Sequence, residues 1–447
     1  MAPVVAALAA PAAGCALPGL PGTTRETVTV ALPTGLPPFD DPSEAIERAA
    51  ALLNSASGTP YTLKTVRFRG PQRAGEYVRT IAPLLAAAEP ADAVLVVSRT
   101  NDVATPAGEV QDLVSSKLVA PLDEHAKNDK TYQPGAYYPA ALDALRHKGE
   151  AYARPLAVEP LVLHYDADLF TAAGLRPPDT TWNWQALRES GRRLTREAPG
   201  GFVDQWGLIT EAPHWLLLLL IWQNGGDVTA SDGKTCTLAE PAAVEALQYL
   251  WELVSVHRAA MPPPLPGRPN DYALRFQDQK LYAGPARAAM AVGPGVVDIR
   301  QAMLDLGLSD GGLDLRAAEP PQGRQRATGL RVTSALAMTP KARSRSLTYQ
   351  ALSALEREAH QSIPLAARKG SADRLRQLAP GLTAAGAAAI AGALAYARVP
   401  RLLNMLAAPQ LIPALWQRAI AGVFATNLTP LEAATAAARE YQAHLDR

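Results

Sequence analysis

The stretch that most constrains this chain runs from Tyr152 to Thr195. In its first part Leu161, Leu163 and Tyr165 alternate with Val162, His164 and Asp166, and Pro155 and Pro160 keep a helix from running through, so it reads as a strand. A short helical piece then ends at Gly174, and Pro177 and Pro178 interrupt the chain. Thr180 or Thr181 is placed to cap a new helix whose Trp184, Leu187, Gly191 and Leu194 share one face. Strand, break and capped helix follow one another in order.

A chain of 447 residues is too long for one compact core and implies two domains, or two lobes that exchange strands. Hydrophobic residues at 48% with 19% charged place it among folded soluble proteins. With 43 basic and 42 acidic residues the net charge is +1, so no long-range field favours nucleic acid or an anionic membrane surface, and no nucleic-acid partner is expected. Cys15 and Cys236 cannot build a disulfide framework. The seven histidines show no metal-ligand spacing, and neither metal nor cofactor is expected.

Along the chain, Thr27 to Leu32 alternates as a strand, and Asp41-Pro42-Ser43-Glu44 supplies an N-cap, a first-turn proline and a capping-box glutamate. Tyr61 to Phe68 is β-rich, with a slip in its alternation that suggests a bulge. A helix follows over about 76–88, and Ala93 to Val97 is a continuous apolar run suited to a parallel strand covered on both faces. Strands alternating with helices indicate an α/β architecture. Tyr137-Tyr138 reads as core packing rather than metal ligation. His214 to Gln223 is apolar all round, hence a buried helix, and Asn224-Gly225-Gly226 ends it. Gly233-Lys234-Thr235 lacks the earlier glycine of a phosphate-binding loop and reads as a turn. Pro241 opens a further helix, and the short Ala/Gly-rich stretch Gly381 to Ala395 reads as a soluble helix, with no segment long enough to span a membrane.

Several pieces of the opening stretch fall in a telling order: Tyr152 with Pro155, Ala157-Val158-Glu159, Tyr165-Asp166, Asp168-Leu169-Phe170, Gly174, and the Pro178 to Trp182 helix entry. Together they resemble the extracellular solute-binding proteins of ABC importers, in the group that includes the maltodextrin-binding proteins. Further pieces continue the match: QDLVSSKLVAPL from Gln111, Trp206-Gly207-Leu208, Gly284 to Val297, Thr328 to Met338, Leu347 to Leu355, Ile363 to Ala366, Tyr396 to Pro400 and the helix start at Thr429. The resemblance implies an α/β two-lobed type II periplasmic-binding-protein fold, each lobe a mixed, mainly parallel sheet flanked by helices. After a leader and linker over 1–22, the lobes would be 24–158 with 318–361, and 159–317 with 362–447, with crossings near Ala157, Ala318 and His360. It also implies that a monomer captures a small molecule, a carbohydrate, in the interlobe cleft by hinge closure and delivers it to a membrane permease.

Under that resemblance Glu159 matches an acidic residue that contacts sugar, and Trp215 an aromatic that stacks on it. Gly295 takes the place of another aromatic, and Trp416 falls about one turn from the expected position in its helix. Ser98 and Arg99 follow the apolar run at its carboxyl end, where open α/β sheets place ligands. Arg331 lies in the re-entering strand, and Thr34 follows the first strand. Arginines at 99 and 331 would also suit the carboxylate or phosphate of an anionic solute such as a sugar phosphate, phosphorylated polyol or organic acid, which stands as the alternative ligand class. An extracellular glycosidase is a remote third reading, since no placed carboxylate pair, Gly-x-Ser-x-Gly elbow or His-Glu-x-x-His helix is present and no catalytic residue is assigned. Ala12-Ala13-Gly14-Cys15 closes an apolar run from Val4 and resembles a bacterial lipoprotein cleavage site, which would make Cys15 the lipidated first residue of an exported protein, on the outer face of the membrane or periplasmic. The basic residue that normally opens an export signal is absent, and an Ala/Pro leader with an incidental cysteine is the alternative.

Overall fold

The computed structural model describes residues 25–35, 42–71, 75–98, 103, 105, 107–209, 212–265, 274–277, 280–283, 286–295, 315–371, 374–378 and 382–447. Eight strands set the frame: β1 (Glu26–Thr34), β2 (Tyr61–Arg69), β3 (Ala93–Val97), β4 (Ala153–Asp166), β5 (Val203–Ile209), β6 (Ala286–Pro294), β7 (Leu315–Ala318) and β8 (Thr328–Met338). They form one continuous mixed sheet in two halves.

The first half runs β2-β1-β3-β8-β4. The three N-terminal strands are parallel, and β8 enters antiparallel between β3 and β4. Residues 93, 95 and 97 of β3 pack into one apolar layer with Val30, Leu156 and Met338, while residues 94 and 96 pack into another with Ala31, Val158 and Ala337. That two-sided cover is why β3 is an unbroken apolar run. The slip expected in β2 does not occur: its register with β1 holds from Glu26↔Tyr61 to Thr34↔Arg69. The irregularity lies instead between Val332 and Ala335, where β8 shifts register against β4.

The second half grows from the far end of β4. Residues 161–165 pair with β6, residues 163–166 with β7, and β6 pairs in parallel with β5. Thirteen of the fourteen residues of β4 are buried, so its apolar/polar alternation does not mark a wet face. His164 is accommodated because its Nε2 donates to the Pro294 carbonyl at 2.8 Å and because burial lowers its pKa to about 4, leaving the ring neutral.

Helices cover both halves. α1 (Ser43–Ser55) starts after Pro42 without a side-chain cap, and Asp41 lies outside the described residues. α2 (Tyr77–Ala86) and α3 (Gly108–Ser115) complete the first half's N-terminal part. α4 (Trp184–Leu194) is capped by Asn183, whose side chain accepts the Ala186 amide at 2.9 Å. Neither threonine caps it, because Thr181 is drawn into a turn by the Asp179 carboxylate, which receives both its amide and its hydroxyl. α5 (Pro213–Gln223) is buried at every position and ends at Gly225, whose φ of 88° is the left-handed geometry glycine permits. Around it gather α6 (Pro241–Trp251) and the C-terminal α9 (Pro430–Leu445), which carries the Thr429/Glu432 capping box. α7 (Arg345–Ala359) and the alanine-rich α8 (Ala384–Ala395) lie against the first half and β7. Among the described residues no helix is long and apolar enough to cross a membrane.

After α7 the chain turns at His360 and runs beside β4, where Val158 donates to the Leu365 carbonyl (2.8 Å) and Ala367 to that of Leu156 (3.0 Å). A buried charge cluster braces this turn. Glu356 accepts from Arg154 Nε (3.0 Å) and the Tyr137 hydroxyl (2.5 Å), His360 Nδ1 lies 3.0 Å from its other oxygen, and Arg154 also reaches the Tyr349 hydroxyl (3.0 Å). Burial alone would raise the pKa of Glu356, but His360, Arg154 and Tyr137 outweigh it and bring it down to about 2 from the ordinary 4.5.

Two outcomes follow for stability. A Cβ on Gly207 of β5 would collide with the Gly191 carbonyl of α4, so Gly207→Ala should cost about 1–3 kcal/mol or more in urea unfolding. Because the folded pKa of Glu356 is depressed, its contribution is fully present above about pH 4.5 and is lost as the pH falls towards 2. Glu356→Ala should cost about 3–5 kcal/mol at pH 7, and the gap from wild type should shrink in acid titrations followed by circular dichroism.

Candidate functional site

β4 is the strand that belongs to both half-sheets, and the candidate site is built where it leaves its pairing with β8 and passes from one half to the other. Leu330, Arg331 and Val332 face Pro160, Glu159 and Val158 in antiparallel register, and the irregularity follows at once beyond Val332. Cross-strand partners lie on the same face, so Glu159 and Arg331 meet directly, with Arg331 Nη2 donating to Glu159 Oε2. Both are buried, Arg331 at 2% and Glu159 at 5% exposure. Leucines, valines and prolines flank the pair along both strands, and nothing in the local sequence of either residue announces a partner about 170 positions away.

Ser98 is attached to the same place through the backbone: its amide donates to the Thr333 carbonyl at 2.7 Å, at the register shift of β8. Its hydroxyl donates to the buried Glu109 carboxylate of α3 at 2.8 Å. Thr34 ends β1, its hydroxyl donating to the Phe68 carbonyl at 3.0 Å. Gly295, just after β6, lies beside Pro160 and Leu365: a Cβ placed on it would stand 3.5 Å from Pro160 Cδ and 3.8 Å from Leu365 Cδ1.

Trp215 stands apart from the pair, on the first turn of α5. It is 7% exposed, its indole N–H has no hydrogen-bond partner among the described residues, and its ring meets His214 edge-on. His214 in turn stacks on Trp416 at 5.9 Å between ring centres, and Trp416 donates its indole N–H to the Pro264 carbonyl at 2.8 Å. Sequence reasoning missed His214 as the link between the two tryptophans and Glu109 as the partner of Ser98. The first is an unremarked polar residue opening an apolar run; the second lies on a helix whose buried face includes it.

The structure therefore brings Glu159 and Arg331 into contact, joins Ser98 to them through the Thr333 carbonyl, and leaves Thr34 and Trp215 on other elements. Arg99 and Cys15 lie outside the described residues. Tyr137 and Tyr138 are buried in the core, and Asp232 accepts the Lys234 and Thr235 amides in a turn with Gly233 at φ 66°. Among the described residues no three His, Cys, Asp or Glu side chains gather into a metal-binding group.

Residues 75–294, which include α2, β3, β4, α5 and β6, match the family described as bacterial extracellular solute-binding proteins. Over that stretch the chain is similar to that family. Its fold is the type II periplasmic-binding-protein fold, and three solved structures share it. The sugar-binding protein MalE of Xanthomonas citri is 15% identical over 94% of this chain and 97% of its own, with a TM-score of 0.68. The cyclic α-maltosyl-1,6-maltose binding protein of Arthrobacter globiformis is 15% identical over 94% and 99%, at 0.66. The ABC substrate-binding protein Lmo0181 of Listeria monocytogenes, solved with cycloalternan, is 18% identical over 93% and 98%, at 0.61. A binding protein of Brucella abortus (strain 2308) is 25% identical over 148 residues, so the match takes in about a third of this chain and spans about a third of that curated relative's length.

Buried charges that leave water need each other. Arg331→Ala should therefore cost about 3–5 kcal/mol, whereas the neutral double replacement Glu159→Gln with Arg331→Met should cost much less. Denaturant unfolding of the two singles and the double checks this, and purely additive losses would contradict the coupling.

Proposed function

We propose that this chain is the capture component of an ABC importer and holds a carbohydrate between two lobes, 24–158 with 318–361 and 159–317 with 362–447. The observation that carries the reading is β4, which runs from one half-sheet into the other and holds Glu159, paired with Arg331 of β8, buried at the change-over. A solute that touches both lobes makes all its contacts only when they close, so binding shifts the population towards the closed form, which a membrane permease then recognises. Glu159 supplies a hydroxyl acceptor and Trp215 a flat apolar face, the two requirements for holding a sugar ring. Ser98 and Thr34, at the carboxyl ends of β3 and β1, add polar groups on the first lobe's side.

The family matched over residues 75–294 and the structural relatives named above are binding proteins, and cycloalternan and cyclic maltosyl-maltose are the sugars bound by two of those relatives. The anionic alternative is less well supported, because the Arg331 guanidinium is already engaged by Glu159. We also propose export, with Cys15 as the lipidated residue of the mature chain. Intact-mass analysis of protein recovered from the native cell should give an acylated Cys15 at the N-terminus, and an intact Met1 would refute the anchoring.

The test of capture is a thermal-shift screen of the wild-type protein with neutral oligosaccharides, sugar phosphates and organic acids, followed by small-angle scattering with each hit. A neutral oligosaccharide at about a hundred times its dissociation constant should add about 2.7 kcal/mol of stability and contract the scattering profile, and it should be recovered chemically unchanged. No shift with any of these compounds, or a shift without contraction, would contradict the proposal.

A further inference from the structure

We propose that the groove between α6 and the start of α9 is a docking surface for a partner-protein segment whose apolar side chains are flanked by basic ones. The groove offers about 390 Å³; Val244, Tyr249, Pro430 and Leu431 make its apolar lining, and Glu245 and Glu252 supply carboxylates along one side. Its floor is held in place, because the Tyr249 ring stacks on Trp184 at 4.4 Å between ring centres and its hydroxyl donates to the Trp184 carbonyl at 2.5 Å. Opposite, Leu431 stands on the first turn of α9 with 57% of its surface exposed. A single exposed leucine is ordinary. Here it borders a concave apolar surface, where an incoming side chain is covered on more than one side.

Charge selects the occupant. Glu245 and Glu252 are seven residues apart, hence on one face of the helix and about 10 Å apart along it. Glu245 is met by Arg324 (2.9 Å) and the Asn224 amide (2.7 Å). Glu252 receives the Gln248 amide (2.8 Å) and has no ion-pair partner among the described residues, none of which lines the groove with a lysine, arginine or histidine. The capping box adds the Glu432 carboxylate at the start of α9, so that end does not draw an anion. A purely apolar segment would leave Glu252 against hydrocarbon, and an acidic segment or anionic lipid surface would meet like charge. A lysine or arginine beside the apolar contacts pairs with it instead. The spacing of the carboxylates suits a helix with basic side chains two turns apart, laid along α6. Both walls pack around α5, so the surface depends neither on a solute nor on hinge closure.

Fluorescence anisotropy of a labelled amphipathic peptide of leucine and lysine, with its leucine–glutamate counterpart, tests this on the full chain. Wild type should bind the lysine peptide at least about tenfold more tightly than the glutamate peptide, and added salt should weaken the binding. Glu252→Lys should lower that affinity by about tenfold and Leu431→Ser by about fivefold. Glu44→Lys and Leu52→Ser on α1, the same changes at exposed positions away from the groove, should leave it as it is. Circular dichroism checks folding; if Glu252→Lys does not fold, Glu252→Gln should weaken binding by about threefold. Equal binding of the two peptides, binding of neither, or equal losses in the α1 variants overturns the inference. So does Leu431-dependent binding to phosphatidylglycerol vesicles in place of the peptide, which would assign the groove to a lipid surface.

Discussion

The antiparallel pairing of β4 with β8 is the contact on which the rest of the molecule depends. It runs from Ala153↔Ala337 to Pro160↔Leu330, and each end is fastened to a different set of strands. At the register shift the backbone groups are taken up by neighbours, the Thr333 carbonyl by Ser98 and the Leu156 carbonyl by Ala367 and, at 3.1 Å, by His360. Further along, the Leu161 carbonyl accepts the Thr328 hydroxyl at 2.8 Å. A bulge usually loosens a ladder and sharpens its twist. Here the irregular stretch is also where the first half-sheet and the returning chain at 365–367 converge, so twist is gained without leaving Leu156 or Thr333 unsatisfied.

Two buried ion pairs lie along the same strand, and their surroundings give them different capacities. Arg154 is held by a carboxylate and two tyrosine hydroxyls and stands over the rings of Tyr132 and Tyr349 at 5.2 and 5.4 Å. Such a cluster fixes the turn at His360 against β4, and its charge is dispersed among many partners. The pair Glu159–Arg331 joins two neighbouring strands directly. Desolvation makes each pair expensive to form and more expensive to break by halves. Stability alone would favour replacing either by apolar residues, so retention of a charged pair at the change-over is better explained by what a carboxylate can accept than by the strength it adds.

Much of this was readable in the residues themselves. The apolar run of β3, the all-round apolar α5, the glycine that ends it and the capping box of α9 each obey a local rule that tertiary packing reinforces. Local rules failed where a distant group decided the outcome. Asp179 took Thr181 away from the cap of α4, and β4 is buried on both faces because α-helical cover reaches its polar positions too. Likewise His164 sits in an apolar layer because the Pro294 carbonyl meets it, and Glu159 turned out to be paired because β8 returns antiparallel beside it. Of the site, the position of Glu159 was legible from its surroundings in sequence; its partner was not, because only the strand order brings residues 159 and 331 together.

The chain that follows α8 limits how the proposed lobes could move. Between residues 401 and 405 it accepts from Lys148 (2.7 Å, at Leu403) and from Gln111 at Met405, both in the proposed first lobe. On its other side Leu403 donates to Gly233 at 3.3 Å and Arg401 accepts from Thr229, both in the second. A sliding motion would break these bonds and the β4/β8 ladder together. A rotation whose axis passes close to both would instead spread small dihedral changes over a few residues and keep most of the bonds. The proposed hinge closure is a motion that this connectivity tolerates, provided that its axis passes close to both the 401–405 segment and the ladder.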